Sequence, residues 1–309
     1  MRFQIRRSIN NIYTALSLDD GRIYTCRLKG KVLKGENEYN PVAVGDIAIG
    51  ECYSDSEALI TSIEERRSWF RRWNVKAELN QTIASNQDQT AIVLSAMSPP
   101  FRPRFVDRAI ASSKGADILL IMNKSDYGLT EEEFERWKLY HDLGYKIIAV
   151  SALEGEGIEE LRGLLKGKIT AFVGQSGVGK STLINRLMGT EQRTGEISEK
   201  YNKGKHTTNH SLYIEGDDFS VIDTPGVREI LIPFEEPELV KESFPELKDL
   251  ECMYSTCLHK GEPGCAVPEL IESGEINEDR YESYLRMLQS LEERKPRYLR
   301  KKRSGKPNY

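Results

Sequence analysis

The order of three short motifs constrains this chain more than any other feature. Gly174-Gln175-Ser176-Gly177-Val178-Gly179-Lys180-Ser181 fits the pattern G-x-x-x-x-G-K-[ST] and is followed by Thr182. The run Lys168-Ile169-Thr170-Ala171-Phe172-Val173 reads as a buried strand before it, and 180–188 reads as a helix after it. Glycines let such a loop wrap so that successive N–H groups face a phosphate, and the helix start adds partial positive charge. Lys180 is expected to reach the β- and γ-phosphates, with the Ser181 hydroxyl on Mg²⁺. Further continuous apolar runs lie at 90–95, 118–122 and 146–150, with helical stretches at 131–143 and 157–166. Buried strands alternating with helices predict a parallel sheet covered on both faces, closed by a last strand at 219–223.

Asp223-Thr224-Pro225-Gly226 ends that last strand. Its carboxylate is placed to hold Mg²⁺ through a water, and the Gly226 N–H to sense a γ-phosphate. Asn123-Lys124-Ser125-Asp126 ends the strand 118–122. Guanine presents two adjacent donors, N1–H and the exocyclic amine, which one carboxylate accepts together; adenine has no such edge. Asp126 is assigned to that pair, the Lys124 stem to the base plane, and the Ser151-Ala152 loop to the guanine O6. The expected ligand is GTP rather than ATP. In Ras-like proteins the phosphate loop precedes the guanine motif; here it follows, so the site requires a circularly permuted chain.

The flanking segments differ in kind. Residues 1–70 carry short alternating strands at 11–16, 22–28, 42–49 and 58–63, with an Asp20-Gly21 turn between the first two. Strands of this length and number predict a small closed β-barrel, with the OB-fold the leading candidate. Arg66, Arg67, Arg71 and Arg72 interleave with Trp69, Phe70 and Trp73, offering phosphate contacts and stacking, or an interdomain linker. Residues 237–293 lose the strand signal. There Cys252, Cys257, His259 and Cys265 stand within 14 positions. Three thiolates and an imidazole suit tetrahedral Zn²⁺, and four protein ligands leave no open position, so the site is structural. Cys26 and Cys52 read as ordinary barrel residues.

Eight of the chain's 44 Lys and Arg residues, and none of its 48 Asp and Glu, fall in 294–309. This basic tail, with Arg300, Lys301, Lys302 and Arg303, is expected to be drawn to a polyanion. The longest uninterrupted apolar run is Ile118–Met122, too short for a membrane span, and the N-terminus shows no secretory pattern.

The whole set resembles the family of bacterial circularly permuted GTPases that depend on the small ribosomal subunit, ribosome small subunit-dependent GTPase A. The resemblance runs through Pro41–Asp46, Asn86–Gln89, Asn123–Asp126, Gly174–Ser181, His206-Thr207-Thr208, Asp223–Gly226, Cys252–Cys265 and Arg280–Tyr284. It implies an N-terminal all-β OB-fold barrel at 1–70, a central α/β P-loop GTPase domain at 71–236, an α-helical zinc-binding domain at 237–293 and the basic tail. It implies slow GTP hydrolysis stimulated by the small (30S) ribosomal subunit and its rRNA, late in that subunit's maturation, in the cytoplasm. No membrane partner is expected, and the chain is read as a monomer. The family's switch ends His-Thr-Thr-Thr, whereas Asn209 holds the last place here. Thr208 is favoured for Mg²⁺, with Thr207 the alternate. The residue after Gly226 is Val227, which cannot orient a water, so His206 is the candidate for that role.

Overall fold

The computed structural model describes residues 1–30, 38–189 and 210–294. Strands β1 (Arg2–Ile9), β2 (Ile12–Ser17), β3 (Ile23–Leu28), β4 (Ile47–Cys52) and β5 (Glu57–Ile63) pair in the circuit 1-2-3-5-4-1, which closes a barrel without free edges. Every contact is antiparallel except β3 with β5. Phe3, Ile5, Tyr13, Ala15, Cys26, Ala58 and Ile60 alternate inward and fill it. The turn at Asp20-Gly21 forms where predicted, and the Asp20 carboxylate accepts from the Arg22 N–H at 3.0 Å. The strand expected over 42–49 begins only at Ile47. Ahead of it the buried Asp46 carboxylate accepts from the Ala43 N–H at 2.7 Å, which holds that stretch as a turn.

The central sheet runs β11 (Lys146–Val150), β10 (Asp117–Asn123), β8 (Gln89–Ser95), β12 (Ile169–Gly174), β14 (Ser220–Asp223) and β13 (Leu212–Glu215). The first five are parallel, and β13 is an antiparallel addition. Helices α1 (Pro103–Ala111) and α2 (Glu131–Asp142) cover one face through Phe105, Val106, Trp137 and Tyr140. Helices α3 (Ile158–Leu165) and α4 (Lys180–Met188) cover the other through Leu161, Leu165, Leu183 and Leu187. The predicted doubly covered parallel sheet is therefore present. Strand β13 meets β1 of the barrel at Leu212 and Arg7, so barrel and sheet form one continuous 11-stranded sheet.

Sequence reading missed a side sheet of β6 (Trp69–Asn74), β7 (Leu79–Ser85) and β9 (Ser113–Lys114). Its Phe70, Ile83 and Ala84 belong to the sheet's own core, which explains the aromatics of that arginine-rich stretch. Beyond residue 236 three helices, Pro237–Lys241, Val267–Glu272 and Glu278–Glu292, surround a separate core of Val240, Phe244, Leu247, Val267, Tyr284, Met287 and Leu288. Phe244 and Tyr284 meet edge to face at 5.4 Å. Burying such rings contributes about 1.5–3 kcal/mol each. Among the described residues no helix is long and apolar enough to cross a membrane.

Candidate functional site

The carboxyl ends of β8, β10, β11, β12 and β14 point to one edge of the sheet, where an α/β fold leaves room for a ligand. Three loops meet there through Asn123. Its side-chain amide donates to the Val178 carbonyl at 2.9 Å, and its oxygen accepts from the Ala152 N–H at 3.1 Å. The buried Asn123 thus ties the guanine-type motif to the phosphate loop and to the Ser151-Ala152 loop. Lys124, held at φ 61°, donates to the Gly177 carbonyl at 3.0 Å and to the Ser98 carbonyl. Asp126 lies on an exposed helical turn, Ser125–Tyr127, at the end of β10.

The phosphate loop passes from β12 into α4, as its pattern requires. Gly179 has φ 90°, and a Cβ there would stand 2.4 Å from the Asn123 amide nitrogen, so only glycine serves. Lys180 is 8% exposed, and its ammonium donates to the Gly174 carbonyl at 3.0 Å. Burial draws the Lys180 pKa down, and the carboxylate of the fully buried Asp223 opposes that shift. Ser181 and Thr182 are exposed on the first turn of α4. Ser176 and Gln175 border the loop after β14. A Cβ on Gly226 would sit 3.0 Å from Ser176 Cα, and the Gln175 amide donates to the Arg228 carbonyl at 3.4 Å. The Val227 N–H donates to the Gly174 carbonyl at 3.2 Å, while its side chain is buried in the sheet core. Asp-Thr-Pro-Gly and the phosphate loop are thus in van der Waals contact. His206, Thr207 and Thr208 lie outside the described residues.

Cys252, Cys257, His259 and Cys265 converge so that one donor atom from each lies within 4.8 Å of all the others. The His259 Nδ1 is 3.4–3.5 Å from all three sulfurs. Its Nε2 faces the Leu247 carbonyl at 3.2 Å, a contact that orients the ring and leaves Nδ1 for a cation. Backbone N–H groups of His259 and Ala266 approach Cys257 and Cys252 sulfurs at 3.4 Å. Burial pushes the Cys257 thiol up to about 12, a cost that a divalent cation reverses by binding the thiolate. The donor set fits tetrahedral Zn²⁺. Sequence reasoning did not find its supports: the Tyr281 and Tyr284 hydroxyls donate to the His259 and Leu258 carbonyls at 2.7 and 2.5 Å. The signal was Arg280-Tyr281-Glu282-Ser283-Tyr284, whose spacing puts both tyrosines on one helix face.

Arg280 of the same motif is 3% exposed and bonds Asp107 of α1 at 2.5 Å and Glu246 at 2.6 Å. Tyr140 of α2 donates to the same Asp107 at 2.8 Å. This buried node joins the C-terminal core to the sheet.

Two of the four arginines in the cluster are turned inward rather than offered to a phosphate. Arg66 is buried in a bidentate pair with Asp46 at 2.7 and 2.9 Å and also bonds Glu38. Arg71 pairs with Glu38 at 2.5 Å and stacks on Trp69. Arg72 bonds Gln81, and Arg67 pairs with Asp88 at 2.5 Å while staying half-exposed. Phe70 and Trp73 are buried. Arg66 and Arg71 are joints between the barrel and the side sheet, because their charge is already met by internal carboxylates. Arg300, Lys301, Lys302 and Arg303 lie outside the described residues. Cys26 is in the barrel core and Cys52 is exposed at a strand end.

The RsgA GTPase family model matches residues 63–233. Small ribosomal subunit biogenesis GTPase RsgA of Borreliella burgdorferi is 39% identical over 298 residues, covering 94% of this chain and 96% of that protein. RsgA 2 of Bacteroides thetaiotaomicron is 40% identical over 292 residues, covering 90% and 94%. The crystal structure of YjeQ from Thermotoga maritima superposes with a TM-score of 0.68 at 28% identity, over 95% of this chain and 99% of that one. YloQ, titled a circularly permuted GTPase, shares the fold with a TM-score of 0.66 at 24% identity, over 96% of each chain. Matches that span barrel, permuted sheet and cysteine cluster together leave one conclusion: the chain belongs to the RsgA GTPase family.

Proposed function

We propose that this chain hydrolyses GTP to GDP and phosphate on the small ribosomal subunit and acts late in that subunit's maturation. The observation that carries the reading is the Asn123 bridge, which holds the guanine-type motif, the Ser151-Ala152 loop and the phosphate loop as one pocket. Asn123, Lys124, Asp126, Ser151 and Ala152 take the base. Gly174 through Thr182, with Asp223 and Gly226, take the phosphates. Ser181, Asp223 and Thr208 are the proposed Mg²⁺ ligands; the buried carboxylate and the hydroxyl at the helix start suit that ion, which would neutralise charge between the β- and γ-phosphates.

Lys180 and the loop N–H groups act by stabilising charge as the bond from the γ-phosphorus to the β–γ bridging oxygen breaks. Val227 offers no side chain for the attacking water, and its burial supports a slow intrinsic reaction with His206 as the water-positioning residue. Cys252, Cys257, His259 and Cys265 would hold one structural Zn²⁺. We assign residues 1–70 to the barrel, 71–236 to the GTPase unit, 237–293 to the zinc unit and 294–309 to a basic tail. Rim arginines such as Arg67, with Arg300, Lys301, Lys302 and Arg303, are the candidate rRNA contacts, in a cytoplasmic monomer.

The test is GTP hydrolysis by the purified protein alone, with small subunits, and with large subunits as control. Stimulation by small subunits only is the expected result. GTP binding with no stimulation would instead favour an assembly module that uses GTP as a conformational clamp.

A further inference from the structure

We propose that the cavity between the barrel and β7 is a pocket for one unpaired nucleobase of an RNA chain. The inference rests on the reading above that rRNA is a partner. The cavity has a volume of about 410 Å³ and is roofed on one side by Pro225 of the Asp-Thr-Pro-Gly loop. Val42, Val44 and Ile83, all buried, lie beneath it, and most of its lining is polar, with the Ser8, Thr82 and Ser211 side chains beside the amides. Its rim is made of amides: Asn10, Asn11, Asn40 and Gln81.

Those amides are available. The side chains of Asn10, Asn11 and Asn40 make no hydrogen bond among the described residues. The Gln81 oxygen accepts from Arg72 at 3.2 Å and from Asn74 at 3.2 Å, which fixes the orientation of that amide and leaves its NH₂ as the free donor. Asn10 and Asn11 sit in the two-residue turn between β1 and β2 at φ 49° and 62°, a tight connection that sets where their side chains start.

The lining decides the ligand class. Among the described residues no lysine, arginine, aspartate or glutamate lines the cavity, and His210 is the one titratable side chain besides Tyr39. A lone phosphate or carboxylate would lose its hydration there without a counter-charge. A nucleobase is flat and neutral, and it offers paired donors and acceptors that carboxamides read well. Tyr39, 37% exposed at the mouth, adds a ring on which a base can stack.

The experiment uses the full chain with a ten-nucleotide single-stranded oligoadenylate carrying one 2-aminopurine, and a matched chain of abasic sugar-phosphate units. Expected is binding of the base-bearing oligomer about tenfold tighter than the abasic one. Asn40→Ala and Gln81→Ala, each checked by thermal unfolding, should remove most of that preference without weakening abasic binding. The preference should persist at high salt, since the pocket is neutral, while both affinities fall. Equal binding of the two oligomers, a preference that salt abolishes, or variants that keep the preference would each overturn the pocket and leave the RNA reading standing. Wild-type protein that binds neither oligomer would overturn both.

Discussion

The cysteine cluster and the proposed nucleotide pocket are built in opposite ways. The cysteine cluster is local: four donors within 14 positions close on one point, supported by the Leu247 carbonyl and two tyrosine hydroxyls. The nucleotide pocket is distributed. Its pieces come from positions 123 to 226 and are brought together by the sheet, with Asn123 bonded to two other loops. A local site in a small core leans heavily on its ligand. A distributed site is set by the strands and should stand ready before its ligand arrives.

The sharpest break of this comparison is to deny the cluster the cation it would hold. Cys265→Ser, or chelation, should unfold the core around Phe244 and Tyr284, since structural zinc contributes on the order of 10 kcal/mol in small sites. Circular dichroism and zinc content would follow the loss, with GTP affinity largely kept; an unchanged melting profile would mean the cluster is not what holds that core. Smaller, but touching both regions, is Arg280→Met. It leaves Asp107 buried without its cation partner and should cost about 3–5 kcal/mol in urea unfolding. A change under 1 kcal/mol would show the node to be dispensable. Smallest in free energy is Asp126→Asn. One amide donor would then face a guanine donor, so GTP affinity should fall about 100-fold, read by fluorescent nucleotide titration. Xanthosine triphosphate, with a carbonyl in place of the amine, should gain. Unaltered GTP binding would remove Asp126 from the base site.

What the sequence made legible follows the same division. The cluster and each nucleotide motif could be read because spacing and chemistry are local. Their assembly could be inferred only from strand context, and the Asn123 bridge was invisible because its partners are backbone groups 29 and 55 positions away. Helix α1 carries a legible signal, Pro103 in its first turn followed by Phe105, Val106, Ala109 and Ile110 at helical spacing. Strand β1 alternated as clearly. Arg66 and Arg71 could not be placed because charge on a sequence looks exposed, and nothing local reveals that Asp46 and Glu38 meet them inside.

The junction between β13 and β1, where Arg6 also pairs with Glu215 and lies over Tyr213, has a consequence for how the molecule behaves in company. A parallel sheet of this kind ends in a strand whose free N–H and C=O groups invite a second chain. Here the barrel, which has no edge of its own, is laid against that end at Leu212 and Arg7. The barrel is therefore also a guard: it covers the β13 flank against the sheet of a neighbouring copy, and leaves β11 as the sheet's other edge.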